Sequence, residues 1–118
     1  MQSKRGRREG IFVHPDSFDQ RFVREIQSRD ADPAAIFRAL TRLGAPANCQ
    51  VICHPDNPDN GATVPLRNAL EQVILRGHLG DEEHSYWVGM DVILLCVPGR
   101  LAYTQDHNNN RAIVHRPD

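Results

Sequence analysis

The chain has 118 residues, of which 40% are apolar and 25% charged, and its formal net charge is −1 at pH 7. These values suit one ordinary globular domain with its own core, and no apolar run approaches the roughly 20 residues of a membrane span. Lys4 is the single lysine, which excludes Schiff-base chemistry and a phosphate-loop lysine from the body of the chain.

Basic charge is concentrated at the N-terminus. Residues 1–9 carry four basic side chains and one acidic one, whereas the rest of the chain carries 10 basic and 14 acidic side chains. We predict that residues 1–9 form a disordered basic tail and that residues 10–118 form a single domain. An acidic body disfavours a nucleic-acid groove, so we expect nucleic-acid contact only through the tail.

The cysteine pattern and the N-terminal sequence bear on the compartment. Cys49, Cys53 and Cys96 have no zinc-site spacing and are predicted to be reduced thiols. No apolar stretch of the kind found in a secretory signal follows the basic tail. Both observations favour a cytoplasmic protein without membrane contact.

The first half of the chain predicts two strands and two helices. The apolar run at 10–14 predicts a strand that Pro15 ends. A helix is predicted from Ser17 to Arg29, because apolar residues recur there at helical spacing. Asp32 and Pro33 begin a second helix, which Gly44 is expected to end, and residues 49–54 predict a short buried strand.

The second half predicts one helix and three strands. Thr63 is expected to cap a helix whose apolar stripe continues to Gly77. The run VILLCV at 92–97 does not alternate, which is typical of a central strand covered on both faces. Short turns then lead to strands at 101–104 and 112–115. The sequence does not decide whether residues 85–88 form an edge strand.

The order β-α-α-β-α-β-β-β predicts an α/β fold with a mixed sheet. The strands at 49–54 and 92–97 should be joined by a right-handed parallel crossover, because a helix separates them. The C-terminal strands should pair antiparallel, because their turns are too short to cross over. The alternative is a two-layer α+β fold in which one sheet face is open.

A polar loop after the strand at 49–54 is the first candidate site. Five residues form the predicted ligand-binding set: Asp56, Asp59, Asn60, Gly61 and Thr63. A cation or neutral polar ligand fits this loop better than an anion, because both carboxylates repel negative charge. An EF-hand is excluded, because its third position would be Pro58 and its twelfth Arg67. The alternative is a solvated turn.

Two copies of His-Pro-Asp form the second candidate site. Each copy follows a predicted strand, so parallel neighbours would bring His14 and His54 to one sheet edge. These histidines are the candidate metal ligands, and His14, His54 and Asp56 are the catalytic candidates. The alternative is that proline simply ends each strand.

Tyr86 and Trp87 are the predicted interface residues, since aromatic side chains with polar tips are enriched at protein contacts. Core packing is the alternative for Trp87.

The sequence favours a protein that acts through protein contact. No catalytic signature is present, so we expect a binding, regulatory or immunity-type module without a cofactor, whose partner is another protein or a second copy of the chain. The alternative is a small hydrolase or nuclease that uses a divalent metal at His14, His54, Asp56 and Asp59. The sequence therefore does not decide whether the protein is an enzyme, although it favours a protein without enzymatic activity.

Overall fold

A computed structural model describes residues 19–53, 56, 59–76 and 91–117. The strands are β1 (Val23–Ile26), β2 (Asn48–Ile52), β3 (Thr63–Pro65), β4 (Val92–Val97), β5 (Leu101–Gln105) and β6 (Arg111–His115). The helices are α1 (Pro33–Arg42) and α2 (Leu66–Glu71), and α2 continues as a π-helical turn over Gln72–Arg76. Short 3-10 turns occupy Gln20–Phe22 and Ser28–Asp30. No described helix has the length and apolar character that crossing a bilayer requires.

The six strands form one sheet in the order β1-β6-β5-β4-β2-β3, and every neighbouring pair is antiparallel. The predicted parallel crossover is therefore wrong, because β2 and β4 run in opposite directions with Val51 opposite Leu94. The prediction failed because it did not include β3. Thr63–Pro65, predicted as the start of a helix, instead forms a strand antiparallel to β2, so the chain has already reversed its direction before α2 begins.

Helix α1 begins where the capping residues of the sequence predict it. The Asp32 carboxylate accepts a hydrogen bond of 2.9 Å from the Ala35 N–H, and Pro33 occupies the first helical position. Gly44 follows the helix with a φ of +107°, a conformation that glycine adopts without steric cost.

The helix predicted from Ser17 to Arg29 is wrong in its described part. Residues 19–30 hold two 3-10 turns and β1, whose Val23 lies opposite Val114 of β6. Pairing with a distant strand overrides the local helical spacing, which is a weak preference on its own. The strand predicted at 10–14 and the open question at 85–88 lie outside the described residues.

The core lies between the two helices and one face of the sheet. Leu40 of α1 and Leu70 of α2 are fully buried and share a cluster with Val51, Leu94 and Tyr103. VILLCV is central, as predicted, with β5 on one side and β2 on the other. Its burial alternates between buried and half-buried residues, so its two faces are not covered equally. The fold is α+β rather than a mixed α/β sheet.

Candidate functional site

The predicted ligand-binding loop connects β2 to β3 as a hairpin. The Asn60 side-chain oxygen accepts a hydrogen bond of 2.9 Å from the Cys53 N–H, and the Gly61 N–H donates to the Val51 carbonyl at 2.7 Å. Gly61 has a φ of +87°, which favours glycine. Thr63 is exposed in β3 opposite Gln50. Asn60 and Gly61 therefore shape the hairpin, whether or not the loop binds a ligand.

The two carboxylates of the loop have different surroundings. Asp56 is exposed, whereas Asp59 is half-buried and lines a cavity of about 230 Å³ beside α2. Burial raises the pKa of the Cys53 thiol to about 11, and the nearby Asp59 carboxylate adds to that rise. His14 and His54 lie outside the described residues, so the predicted metal and catalytic set stays a prediction. Within the described ranges, no three His, Cys, Asp or Glu side chains gather as a metal site would need.

A metal site at the loop has a direct thermal test. We expect millimolar zinc, magnesium or calcium to leave the melting temperature unchanged, because Asn60 and Gly61 already make hydrogen bonds that hold the hairpin together. A bound ion would raise that temperature by mass action. The melting temperature is measured by calorimetry for the native chain, His54→Ala and Asp56→Ala. A rise that both variants abolish, and that weakens below about pH 6 as histidine protonates, would support the hydrolase instead.

The three cysteines are free thiols, of which Cys49 and Cys96 are buried and Cys53 is half-buried. Burial raises the pKa of Cys49 to about 11 and that of Cys96 to about 12, with a smaller contribution to Cys96 from the neighbouring Cys49. The thiolate is the nucleophilic form of cysteine. These thiols therefore stay protonated at neutral pH, which disfavours cysteine-based catalysis in this chain.

An aspartate–histidine pair joins the start of β4 to the β5–β6 turn. One Asp91 carboxylate oxygen lies 2.8 Å from the His107 ring Nδ1 and also accepts from the His107 N–H at 2.8 Å. The same turn is built by Asp106, whose buried carboxylate accepts from the N–H groups of Asn108 and Asn110. The sequence predicted a turn here but not the partner, because Asp91 lies 16 residues away in the chain.

The contact with Asp91 is expected to shift the pKa of the His107 ring. The hydrogen bond to Asp91 is the main cause that raises the pKa of His107 above its ordinary value of about 6.5. The protonated ring therefore stabilises the folded state below about pH 6.5, and this contribution is lost as the pH rises through the folded-state pKa. NMR titration of the His107 ring should give a midpoint above 6.5, and Asp91→Asn should lower it. An unchanged midpoint in Asp91→Asn would show that the pair does not persist in solution.

Strand β1 lies at one edge of the sheet, and its one strand neighbour in the described chain is β6. An edge strand directs alternate backbone N–H and C=O groups away from the sheet, where another extended chain can pair with them. The opposite edge, β3, has three residues and ends in Pro65, which has no N–H to donate. Of these two edges, β1 is therefore better suited to pairing.

A cleft lies between β1 and α1 and has a volume of about 250 Å³. Ala35 and Ala39 lie one helical turn apart on α1, and their small side chains leave this space open. Ile26 of β1 and Ile113 of β6 supply apolar walls, and Arg24 lies at the rim. We call this space the β1–α1 cleft.

A second recess of about 210 Å³ lies beside the other face of the same edge. Its apolar lining residues are Phe22, Leu95, Leu101, Ala102 and Val114. Arg100 and Arg116 also line this recess, and the same two residues line an adjoining cavity of about 300 Å³. We call this space the arginine recess. Ile113 and Val114 are consecutive in β6, so the cleft and the recess lie on opposite faces of the sheet.

Comparison with known proteins identifies no relative of this chain. No protein-family model matches the chain, and neither a curated protein nor a solved structure is significantly similar to it. The predicted interface residues Tyr86 and Trp87 lie outside the described residues. The sequence analysis did not predict the β1 edge, because no local pattern shows which of the described strands has a single strand neighbour.

Proposed function

We propose that this protein acts through protein contact and binds an extended segment of a partner along β1. One observation carries the proposal: among the described strands β1 lies at the sheet edge, with the β1–α1 cleft on one face of the sheet and the arginine recess on the other. In strand addition, backbone hydrogen bonds supply affinity and pockets for alternate side chains supply specificity. The β1 edge offers both.

The dimensions of β1 set the length of the bound segment. β1 has four residues and is bounded by 3-10 turns at Gln20–Phe22 and Ser28–Asp30. At a rise of about 3.3 Å per residue, the pairing region is roughly 13 Å long. We therefore propose a short linear segment as the ligand, held by few backbone hydrogen bonds and by side chains that alternate between the two faces.

Peptide selection followed by NMR mapping tests this proposal. A phage-displayed library of random peptides is selected against the full chain, and an enriched peptide is titrated into isotopically labelled protein. We expect the largest amide shift changes in Val23–Ile26, because new hydrogen bonds would form there. The amides of Thr63–Val64 at the opposite edge serve as the internal control and should not move.

A backbone control separates strand pairing from simple side-chain contact. The enriched peptide is resynthesised with N-methyl groups at every second residue, in both registers. One register should lose binding, because its removed N–H groups are those that face β1, and the other should keep it. Equal binding of both peptides, shift changes confined to the β3 edge, or failure to enrich any peptide would overturn the proposal.

A further inference from the structure

Two cysteines lie on neighbouring central strands and face the core together. Cys49 of β2 is 2% exposed and Cys96 of β4 is 6% exposed, and both belong to the core cluster. The ladder between these antiparallel strands ends with Gln50 opposite Leu95, so the next pair in the same register is Cys49 opposite Cys96. The two thiols also interact, because Cys49 adds to the rise in the pKa of Cys96 that burial mainly causes.

The backbone hydrogen bonds of β2 show which kind of cross-strand pair this is. The Val51 N–H donates to the Ala62 carbonyl at 2.8 Å, and the carbonyl of Ala47, just before β2, accepts from the Leu66 N–H at 2.8 Å. Alternate residues of this stretch therefore direct their backbone groups away from β4. Cys49 lies midway between Ala47 and Val51, so it occupies a non-hydrogen-bonded position toward β4, where opposite side chains are closest.

This position matches the geometry of a disulfide. Opposite Cα atoms at a non-hydrogen-bonded position are about 4.5 Å apart, and a disulfide spans about 4.4–6.8 Å between its Cα atoms. The pairing of β4 with β5 shifts register between Leu95 and Val97, so the backbone at Cys96 is less constrained on that side. The two sulfur atoms can therefore be joined without separating β2 from β4.

We propose that Cys49 and Cys96 are a site of reversible oxidation, at which a small disulfide such as oxidised glutathione converts the two thiols into a cross-strand disulfide. The thiolate of one cysteine attacks the small disulfide, forms a mixed disulfide and releases one small thiolate. The second cysteine attacks the protein sulfur of the mixed disulfide, closes the Cys49–Cys96 bond and releases the other small thiolate. The released thiolates take up the two protons that the cysteines lose, so two protein thiols are oxidised while one small disulfide is reduced.

Burial controls the rate of this reaction. The thiolate is the attacking form, and burial raises the pKa of Cys49 to about 11 and that of Cys96 to about 12. Oxidation therefore waits for an opening of the sheet that lets the small disulfide enter. The same burial then shields the completed bond from small thiols. Neither cysteine lies in β1, so this site and the proposed function succeed or fail independently.

Mass spectrometry of the oxidised full chain tests the pairing. The reduced chain is incubated with glutathione disulfide in urea below the unfolding midpoint, which promotes opening, and its free thiols are then alkylated. Cys53→Ser is treated in parallel, because it leaves Cys49 and Cys96 as the only thiols. We expect Cys53→Ser to lose two hydrogen atoms and to take up no label, and the native chain to be labelled at Cys53 alone. A dithiol added in the same urea should restore both thiols.

The melting temperature shows whether the disulfide fits the fold. Calorimetry is performed on the oxidised and reduced forms of Cys53→Ser after the urea is removed. The bond would close a loop of about 50 residues, so we expect the oxidised form to melt about 10 °C higher or more. The control adds Cys96→Ala to Cys53→Ser and should melt at one temperature after either treatment.

Three results would overturn the proposal. Oxidation of Cys53→Ser that stops at a mixed disulfide, or that does not occur in urea, would show that the two thiols do not face each other. Pairing of Cys53 with either buried cysteine in the native chain would show a different arrangement of the strands. A Cys49–Cys96 bond that lowers the melting temperature would show that it forms only by distorting the sheet.

Discussion

Replacement of Leu94 by alanine is expected to destabilise the fold by about 3–5 kcal/mol, the upper part of the range for a buried leucine. Leu94 is fully buried in β4, between Val51 of β2 and Tyr103 of β5, so the cavity has rigid walls on both sides. The free energy of unfolding is measured by urea titration of the native chain and the variant.

Leu95→Ala is the matched control for Leu94→Ala, because it removes the same atoms from the next residue of the same strand. Leu95 is half-buried on the opposite face, beside the arginine recess. We expect a loss below about 2 kcal/mol, since its side chain is already in partial contact with water. Equal losses for the two variants would mean that both sheet faces are packed alike, contrary to the alternating burial of β4.

Gln105→Leu is expected to lower the free energy of unfolding by about 2–4 kcal/mol, because it leaves buried polar groups without partners. The Gln105 side-chain oxygen accepts from the Tyr103 hydroxyl at 2.6 Å, and its side-chain nitrogen donates to the Val73 carbonyl at 2.8 Å. Tyr103 and Gln105 are both buried. Gln105 thus joins the π-helical turn to the sheet. The same urea titration measures the loss.

A double-mutant cycle isolates the Tyr103–Gln105 hydrogen bond. Tyr103→Phe alone should cost about 1 kcal/mol, because it removes one hydrogen bond and leaves an acceptor that Arg111 also contacts at 3.2 Å. The double variant should cost less than the sum of the single variants, since the hydroxyl stranded by Gln105→Leu is then absent. Strictly additive losses would show that the two side chains do not interact in solution.

The elements that sequence reasoning found are those with local signals. Asp32, Pro33 and Gly44 mark both ends of α1 through capping and backbone preference, which need no knowledge of the rest of the fold. The unbroken apolar run of β4 identified the central strand by composition. Asn60 and Gly61 were predicted as ligand-binding residues, which stays a prediction; in the structure the Asn60 side-chain oxygen and the positive φ of Gly61 shape a hairpin.

The elements that it missed depend on distant partners. The spacing of Phe22, Val23 and Ile26 suits a helix as well as a strand, and pairing with β6 decides between them. Thr63–Pro65 resembles a helix start until β2 is beside it. The candidate binding edge is harder still to predict, because it is defined by the order of the six described strands and no single stretch of sequence encodes that order.

The pairing of β1 with β6 also has a consequence for how the chain folds. Val23 lies opposite Val114, so this ladder joins residues from nearly opposite ends of the chain. The β4–β5 and β5–β6 hairpins close short loops and lose little chain entropy, whereas β1 must close the longest loop in the sheet. We therefore expect β1 to join late in folding and to detach before the hairpins do. The strand that we propose for partner binding would then also be the one most easily exchanged between copies of the chain.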